Sequence, residues 1–576
     1  MKKFKYFKLI RNIIIVVILL YATYFTLKTA PYYKNSETAG MTNLIINNNN
    51  VTSVLKKNII IKDDVIFLSE QDVANFFDID IYYNPAEKRI VTTSNTKVAS
   101  LLLNNPKITI NNTPVTLKDS AFQANDTNQT IYLPFSELKN VYNIEINYNK
   151  DSDIITVDSL SREQIKANIS KNVNVKSYAR TLSKTISKLT SSDTVVFISS
   201  TNGWSKIRTS DGTIGYIPDK YITNQTKVRE NDVPAPPQVE GKINMVWDYY
   251  YSSAPDRTGI KIDGVNIVAP SLFALDKSNK GALIDKVGDS GQKYIEWAKS
   301  NNYKIWGLIS NESINGEPML DITSQILSSY SLRTKLINNI VNSAVQYNLD
   351  GVNIDFEPMY ADDKNMFSQF IIELYPRLKE KNIVLSVDVT APDGGDIWSL
   401  CFNRLVIGRN CDYVAFMAYD QYGSSSTKPG TTAGYDWIMT AINKFLKSGG
   451  SEEVPAEKLI LGLPFYTRVW TVDSSGKIIT GGNNIVSMKD INNVIPKSAT
   501  ITWLDDVKQN YAEWKSGNNT KKIWIEDEQS MRAKLSIITT NNLAGAAFWD
   551  MNREPSSIWT VINEELHWQN SLENIY

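Results

Sequence analysis

In the run DGVNIDFEP, Asp350–Pro358, Asn353, Asp355 and Glu357 occupy alternate positions, with Ile354 and Phe356 between them and Val352 before. Residues two apart on a β-strand share a face, so an amide and two carboxylates converge on one side and three large apolar groups on the other. Charged groups on a half-buried strand are costly unless they are paired or used. Two neighbouring carboxylates suit acid–base chemistry, because burial and a like charge raise one of them toward working pH. The competing reading is a solvated edge strand. The apolar opposite face and the Glu-Pro exit into a loop argue against it.

The elements that must position these groups recur through the last part of the chain. Apolar runs alternate with helical patterns: INMVW from Ile243, VNIVAP from Val265, IWGLI from Ile305, GVNIDFE from Gly351, IVLSVDV from Ile383, YVAFMAY from Tyr413, LILGLPF from Leu459 and AGAAFW from Ala544. Eight strands with intervening helices over residues 243–572 predict an α/β fold, a (β/α)8 barrel, whose working residues stand at the C-terminal ends of the strands. The stretch 471–533 is too long for one loop and helix, and TITWLDD with KKIWIED inside it predicts a small α+β insertion. Further candidates stand at strand ends: Met417, Tyr419 and Asp420 in MAYD, Tyr466 and Arg468 in GLPFYTRVW, and Trp549.

The strand-four ladder resembles the family 18 glycoside hydrolases, whose signature is an Asp-rich strand ending in the catalytic Glu. The resemblance implies that Glu357 protonates the glycosidic oxygen and later activates water, while the substrate's own acetamide oxygen attacks the anomeric carbon. Asp355 would orient that acetamide and stabilise its positive charge, and Tyr419 would donate its hydroxyl to it. MAYD matches the family's Met-x-Tyr-Asp motif, with Asp420 contacting the sugar or tuning the acid. GLPFYTRVW is similar to Gly-x-Pro-x-Tyr-Gly-Arg-x-Trp, with Thr467 in place of the usual Gly, which makes Tyr466 and Arg468 sugar contacts. Trp549 matches the aromatic floor under the reacting sugar; a core tryptophan is the competing reading. Chitinases carry Asp where this chain has Asn353, whereas relatives that cut bacterial peptidoglycan can carry Asn. Asn353 can hydrogen-bond Asp355 but cannot take up a proton, so proton traffic is expected to be curtailed. Asp350 has the opposite parity to the ladder, and the resemblance makes it a structural residue at the start of the strand.

Composition narrows the alternatives. Lys plus Arg and Asp plus Glu number 61 each in 576 residues, which gives no field drawing the chain to nucleic acid. The one histidine, His567, near the C-terminus, removes most Ser-His and Cys-His catalysis and any multi-His metal site, so carboxylates must carry the acid–base work; no metal or cofactor is expected. Cys401 and Cys411 fit no zinc spacing; a single bridge and two buried thiols both remain open. Lys2, Lys3, Lys5, Lys8 and Arg11 precede an uncharged run from Asn12 to Leu27. Residues 1–30 are therefore expected to form a transmembrane signal-anchor, or alternatively a cleaved signal peptide, with the rest of the chain outside the cytoplasm.

Residues 31–54, with the Asn run Asn47–Asn50, read as a flexible stalk. Within residues 55–160, VIFLSEQDVANFFDIDIYYNPAEKRIVTTS from Val65 matches TIYLPFSELKNVYNIEINYNKDSDIITVDS from Thr130, an α+β repeat that resembles the copper amine oxidase N-terminal module. The segment has no His, Cys or Met to bind copper. Residues 165–226 resemble a bacterial Src-homology-3-like barrel, with Trp204, Gly215 and Tyr216 at its marks. The two aromatics suit either wall binding or filling of a small core. A Pro-rich linker, residues 227–242, follows.

Substrate-assisted chemistry requires a 2-acetamido sugar. The wall-type module, the expected anchor, Asn353, and the segments WGLISN (Trp306–Asn311) and WIEDEQSMRAKL (Trp524–Leu535) resemble the spore-cortex-lytic N-acetylglucosaminidase branch. The expected substrate is peptidoglycan glycan strands at N-acetylglucosamine. The rivals are a chitinase or endo-N-acetylglucosaminidase, and a non-hydrolytic, lectin-like wall protein on an inactive barrel.

Overall fold

All eight apolar runs form strands: β1 (Ile243–Asp248), β2 (Ile267–Pro270), β3 (Lys304–Ser310), β4 (Gly351–Asp355), β5 (Val384–Val389), β6 (Tyr413–Met417), β7 (Leu459–Pro464) and β8 (Gly545–Trp549). Each pairs in parallel with the next, and β8 pairs with both β7 and β1, so the sheet closes on itself. The structure is a computed structural model that describes residues 2–29, 41–231, 239–313 and 315–572. It divides into two units, Met1–Pro234 and Ala235–Tyr576.

Strands buried on both faces explain the nearly continuous apolar runs. Met245, Trp247, Ile267, Ala269, Trp306, Leu308, Val384, Ala415, Ile460 and Ala547 fill the inside of the barrel. Their strand neighbours Val246, Val268, Ile305, Ile309, Val352, Ile354, Leu385 and Phe416 form the layer under the helices. At about 1.5–3 kcal/mol for each large side chain withdrawn from water, this double burial fixes the parity of every strand. Phe356, just past β4, stacks on Phe370 at 5.7 Å between centroids, which pins the strand's exit. Gly462 on β7 keeps the barrel open to Trp247: a Cβ there would lie 3.1 Å from the indole and 2.7 Å from the Phe416 carbonyl oxygen.

The insertion begins earlier than expected and is almost wholly β. A five-stranded antiparallel sheet uses Tyr466–Val472, Ile478–Ser487, Ile501–Leu504, Gln509–Ser516 and Asn519–Ile525, with two short helical turns at Met488–Asp490 and Ile491–Val494. Tyr466 and Arg468 thus stand on its first strand. Thr467, the departure from the family's Gly, is buried there and donates its hydroxyl to the Trp524 carbonyl at 2.5 Å.

A buried ion pair fastens this lobe to the barrel helix Glu528–Thr540. Lys534 Nζ lies 2.6 and 2.7 Å from the Glu526 carboxylate oxygens, and Gln509 of the lobe donates to Glu526 at 2.6 Å. Glu526 and Lys534 are both fully buried. Removing one partner strands the other charge, so Lys534→Met is expected to lower stability by about 3–5 kcal/mol in denaturant unfolding. The double change Glu526→Gln with Lys534→Met should recover most of that loss.

In the first unit, the repeat yields two copies of strand, helix and hairpin: Val65–Ser69, Glu70–Phe76, Tyr82–Asn84 and Arg89–Thr93, then Ile131–Leu133, the helical turns Phe135–Leu138 and Lys139–Tyr142, Ile144–Asn149 and Ile154–Ser159. The predicted stalk is corrected over residues 41–54. Asn43–Ile46 is a strand parallel to Ile154–Val157 and antiparallel to Asn49–Asn50. Asn47 and Asn48 have φ of 47° and 70°, the left-handed pair that a tight hairpin requires, so an Asn run that reads as low complexity is turn chemistry.

Residues 164–228 form a seven-stranded sheet around an aliphatic core of Ala167, Ile169, Val175, Leu189, Val195, Ile207 and Ile217. Trp204 and Tyr216 are only half-buried and lie outside that core. The last strand, Ile222–Val228, occupies the first positions expected to be linker; residues 232–238 lie outside the described residues. Arg208 and Asp158, both nearly buried, join this sheet to the repeat through two hydrogen bonds of 3.0 and 2.6 Å.

The N-terminal expectation is corrected too. Lys2–Thr29 is helical, but among the described residues no helix is long and apolar enough to cross a membrane. The uncharged run Asn12–Leu27 extends only about 24 Å as a helix, short of the roughly 30 Å hydrocarbon layer, and Asn12, Tyr21, Thr23, Tyr24 and Thr26 dilute it.

Candidate active site

The ladder residues lie where strand parity places them. Asn353 and Asp355 point into the barrel at the C-terminal end of β4, and Glu357 follows two residues beyond the strand's last position. Asn311, after β3, clamps the Glu357 loop from both sides: its Oδ1 accepts from the Glu357 backbone N–H at 2.8 Å and its Nδ2 donates to the Pro358 carbonyl at 3.0 Å. Sequence reading quoted Asn311 only as the end of a segment; its clamping role has no local signature.

Asn353 does not bond Asp355. Its Nδ2 donates to Asp388 Oδ1 at 2.7 Å and to Ser386 Oγ at 3.3 Å, both on β5, and its Oδ1 accepts from the Trp247 indole at 2.9 Å. Asp388 was missed by sequence reading, although its position in VLSVDV shows the same signature as Asp355, an acid inside an apolar run. Asp388 and Asp355 are both buried.

Acids therefore crowd one small volume. Burial, then the charges of Asp355, Asp388, Asp420 and Glu312, raises Glu357 well above the usual range for a glutamate. Burial, then Asp355, does the same to Asp388. Burial and Glu312 push Asp355 up to about 7. Burial and like charge thus favour the protonated form of all three carboxyl groups.

Aromatic rings wall this group. The Tyr419 ring lies 6.4 Å from that of Trp247, 6.3 Å from Tyr466 and 6.2 Å from Trp549, and Trp549 is 5.4 Å from Tyr249. Trp549 is partly exposed, which suits a stacking surface better than a core tryptophan. Tyr249 donates its hydroxyl to Glu312, and neither was anticipated; both lie in loops, beyond the reach of strand parity. Met417 is buried at the end of β6. Asp420 is exposed and accepts from Tyr466 Oη at 2.9 Å and Arg468 Nη2 at 3.1 Å, which ties the MAYD loop to the inserted lobe. Asp350 takes no part; it pairs with Lys304 at the far end of β4. Cys401 and Cys411 are buried free thiols.

The sequence pattern of the glycosyl hydrolases family 18 matches residues 245–554, more than half of the chain. The chain belongs to the glycosyl hydrolases family 18. It is a glycosidase, and the acids and rings described above stand at the strand ends of its family 18 barrel. Residues 171–223 match the bacterial SH3 domain and residues 45–157 the copper amine oxidase N-terminal domain. In sequence the chain is similar to the uncharacterized glycosylase YvbX of Bacillus subtilis (strain 168), 27% identical over 52% of this chain and 84% of that protein. It is also similar to the cortical fragment-lytic enzyme of the same organism, 22% identical over 47% of this chain and 62% of that protein. Among solved structures, a chitinase from Chromobacterium violaceum ATCC 12472 matches with 22% identity and a TM-score of 0.49, over 56% of this chain and 99% of that one.

Proposed function

We propose that this family 18 glycosidase hydrolyses β-1,4 linkages at N-acetylglucosamine in peptidoglycan, with retention and with the sugar's 2-acetamido oxygen as nucleophile. The observation that carries the reading is the placement of two carboxyl groups, Asp355 at the end of β4 and Glu357 just beyond it, beneath aromatic rings, with burial raising both above the usual carboxylate range. Glu357 delivers its proton to the leaving oxygen. Asp355 as carboxylate faces the acetamide nitrogen as positive charge grows there, and the Tyr419 hydroxyl holds the acetamide for attack. Water then opens the cyclised intermediate, and Glu357 recovers the proton. Trp549 offers the floor for the reacting ring, Met417 packs beneath the site, and Tyr466, Arg468 and Asp420 form its rim on the lobe side.

Peptidoglycan is favoured over chitin by the relative named for lysing cortical fragments, by the bacterial SH3 match and by Asn353. The proposed place of action is outside the cytoplasm, at a cell or spore wall. Purified peptidoglycan and chitin oligomers, digested side by side, are expected to differ by at least about tenfold in favour of peptidoglycan. Mass spectrometry should find N-acetylglucosamine at the new reducing ends. Faster cleavage of chitin oligomers, or N-acetylmuramic acid at those ends, would replace this substrate with the chitinase or muramidase one.

A further inference from the structure

Two buried carboxyl groups meet at the ends of β4 and β5, and each has an oxygen without a partner. Ile354 is registered with Val387 in the parallel pairing of these strands, so Asp355 and Asp388 stand one step further on. Adjacent strands run about 4.8 Å apart, and both side chains face inward. Asp355 Oδ1 and Asp388 Oδ2 are buried without a hydrogen-bond partner. The remaining Asp388 oxygen accepts from Asn353, whose carbonyl is fixed by Trp247, so the asparagine aims Asp388 and leaves Asp355 to it.

The titratable groups around the pair are Glu357 beyond β4, Glu312 after β3 with Lys286 behind it, Tyr249 after β1, and Tyr419 and Asp420 after β6. Glu312 adds negative charge beside Asp355 and Asp420 beside Glu357, and Lys286 is itself pushed down to about 8 by burial. Two carboxylates this close in such surroundings do not both ionise, and one proton between them satisfies both orphaned oxygens.

We propose that Asp355 and Asp388 share one proton across the β4–β5 seam, and that Asp388 is the positioning acid that lets Asp355 alternate between carboxylic acid and carboxylate during turnover. This rests on the reading of Asp355 as the acetamide-binding group. As positive charge grows on the acetamide, the O–H bond of Asp355 breaks and an O–H bond to Asp388 forms, which leaves Asp355 anionic. When water opens the cyclised intermediate, the proton returns. The pair starts and ends with one proton, and the proton cycle of Glu357 is separate. Asn353 then does not curtail proton traffic; the acid that an Asp at 353 would have supplied comes from the neighbouring strand.

The test compares wild type with Asp388→Asn, Asp355→Asn, Glu357→Gln and the exchange variant Asn353→Asp with Asp388→Asn, all in the full chain on purified peptidoglycan. Asp388→Asn is expected to lower kcat by about 100-fold with KM within about threefold. The alkaline limb of its pH profile should move to higher pH, because the single negative charge that the pair shares in wild type then stands on Asp355, which raises Glu357 more than Asp388 does. The exchange variant, which puts the carboxyl back beside Asp355 from β4, is expected to regain at least about tenfold and to restore the limb. A kcat for Asp388→Asn within about threefold of wild type overturns the proposal, as does an exchange variant no faster than Asp388→Asn. If Asp388→Asn does not melt cooperatively, the exchange variant is set against wild type directly: activity within about tenfold supports the shared proton and a greater loss overturns it. Wild-type rates in Glu357→Gln or Asp355→Asn would remove the underlying reading instead. Inactivity in those two with an active Asp388→Asn would remove only the pair.

Discussion

Glu357→Gln is expected to abolish hydrolysis, lowering kcat by about 10³-fold or more, while the protein melts no lower than wild type at neutral pH. The glutamine keeps the size and polarity of the side chain and the backbone bond to Asn311, so the site stays assembled. It removes the one proton donor aimed at the leaving oxygen, and nothing in the surrounding set replaces it: Asp355 and Asp388 stand further back, on β4 and β5. Stability holds because Glu357 stands among Asp355, Asp388, Asp420 and Glu312, each of which disfavours its charge. Surroundings that disfavour the carboxylate accept a neutral isostere. The measurement is release of reducing ends from peptidoglycan alongside thermal unfolding. Unchanged hydrolysis would return the wall-scaffold reading; lost activity with a collapsed melting transition would make Glu357 a structural residue.

The parts of this site that could be read in advance share a physical property. Strand alternation converts sequence spacing directly into direction, so Asn353 and Asp355 declared their face, and the same holds for Met417 on β6 and Trp549 on β8. Asp388 obeys the same rule, an acid of inward parity in the equally apolar run VLSVDV. What alternation cannot supply is pairing across strands. Asn353 was expected to bond its own strand neighbour Asp355, two residues away, but on a strand such neighbours are separated by about 6.5 Å, whereas the adjacent strand is closer. Its amide therefore goes to Asp388 and Ser386. Asn311, Tyr249 and Glu312 sit in loops after β1 and β3, where position follows from tertiary packing rather than period. The barrel was legible because each strand is buried on both sides. The hairpin at Asn47–Asn48 was not, because backbone conformation rather than hydrophobicity specifies it.

Asp355→Asn is expected to separate function from stability in the opposite directions and to do so with a pH signature. Loss of the carboxylate that faces the acetamide should lower kcat by at least about 100-fold at every pH. Stability should change only above acid pH. The ordinary value for an aspartate is 3.8, and burial with Glu312 pushes Asp355 up to about 7 in the folded protein. Below about pH 4 the carboxyl is protonated in both folded and unfolded chains, and wild type and variant should be equally stable to within about 1 kcal/mol. Between about 4 and 7 the unfolded chain ionises while the folded one holds its proton, so wild type loses about 1.4 kcal/mol per pH unit relative to the variant. Above about 7 both states are ionised and the difference levels at roughly 4 kcal/mol, because the folded state now holds a buried charge that asparagine lacks. The raised folded value thus means stability present in acid and lost as pH rises through neutrality. Denaturant unfolding of the barrel at pH 4, 6 and 8 reads this directly, with the midpoint of the variant pulling ahead of wild type as pH increases. A gap that is constant with pH, or that widens toward acid, would show Asp355 ionised at an ordinary value, and the acid crowding from which its catalytic charge state is derived would be wrong. The two outcomes share one cause: the burial that makes Asp355 effective against a positive acetamide also makes its charge costly while the site is empty.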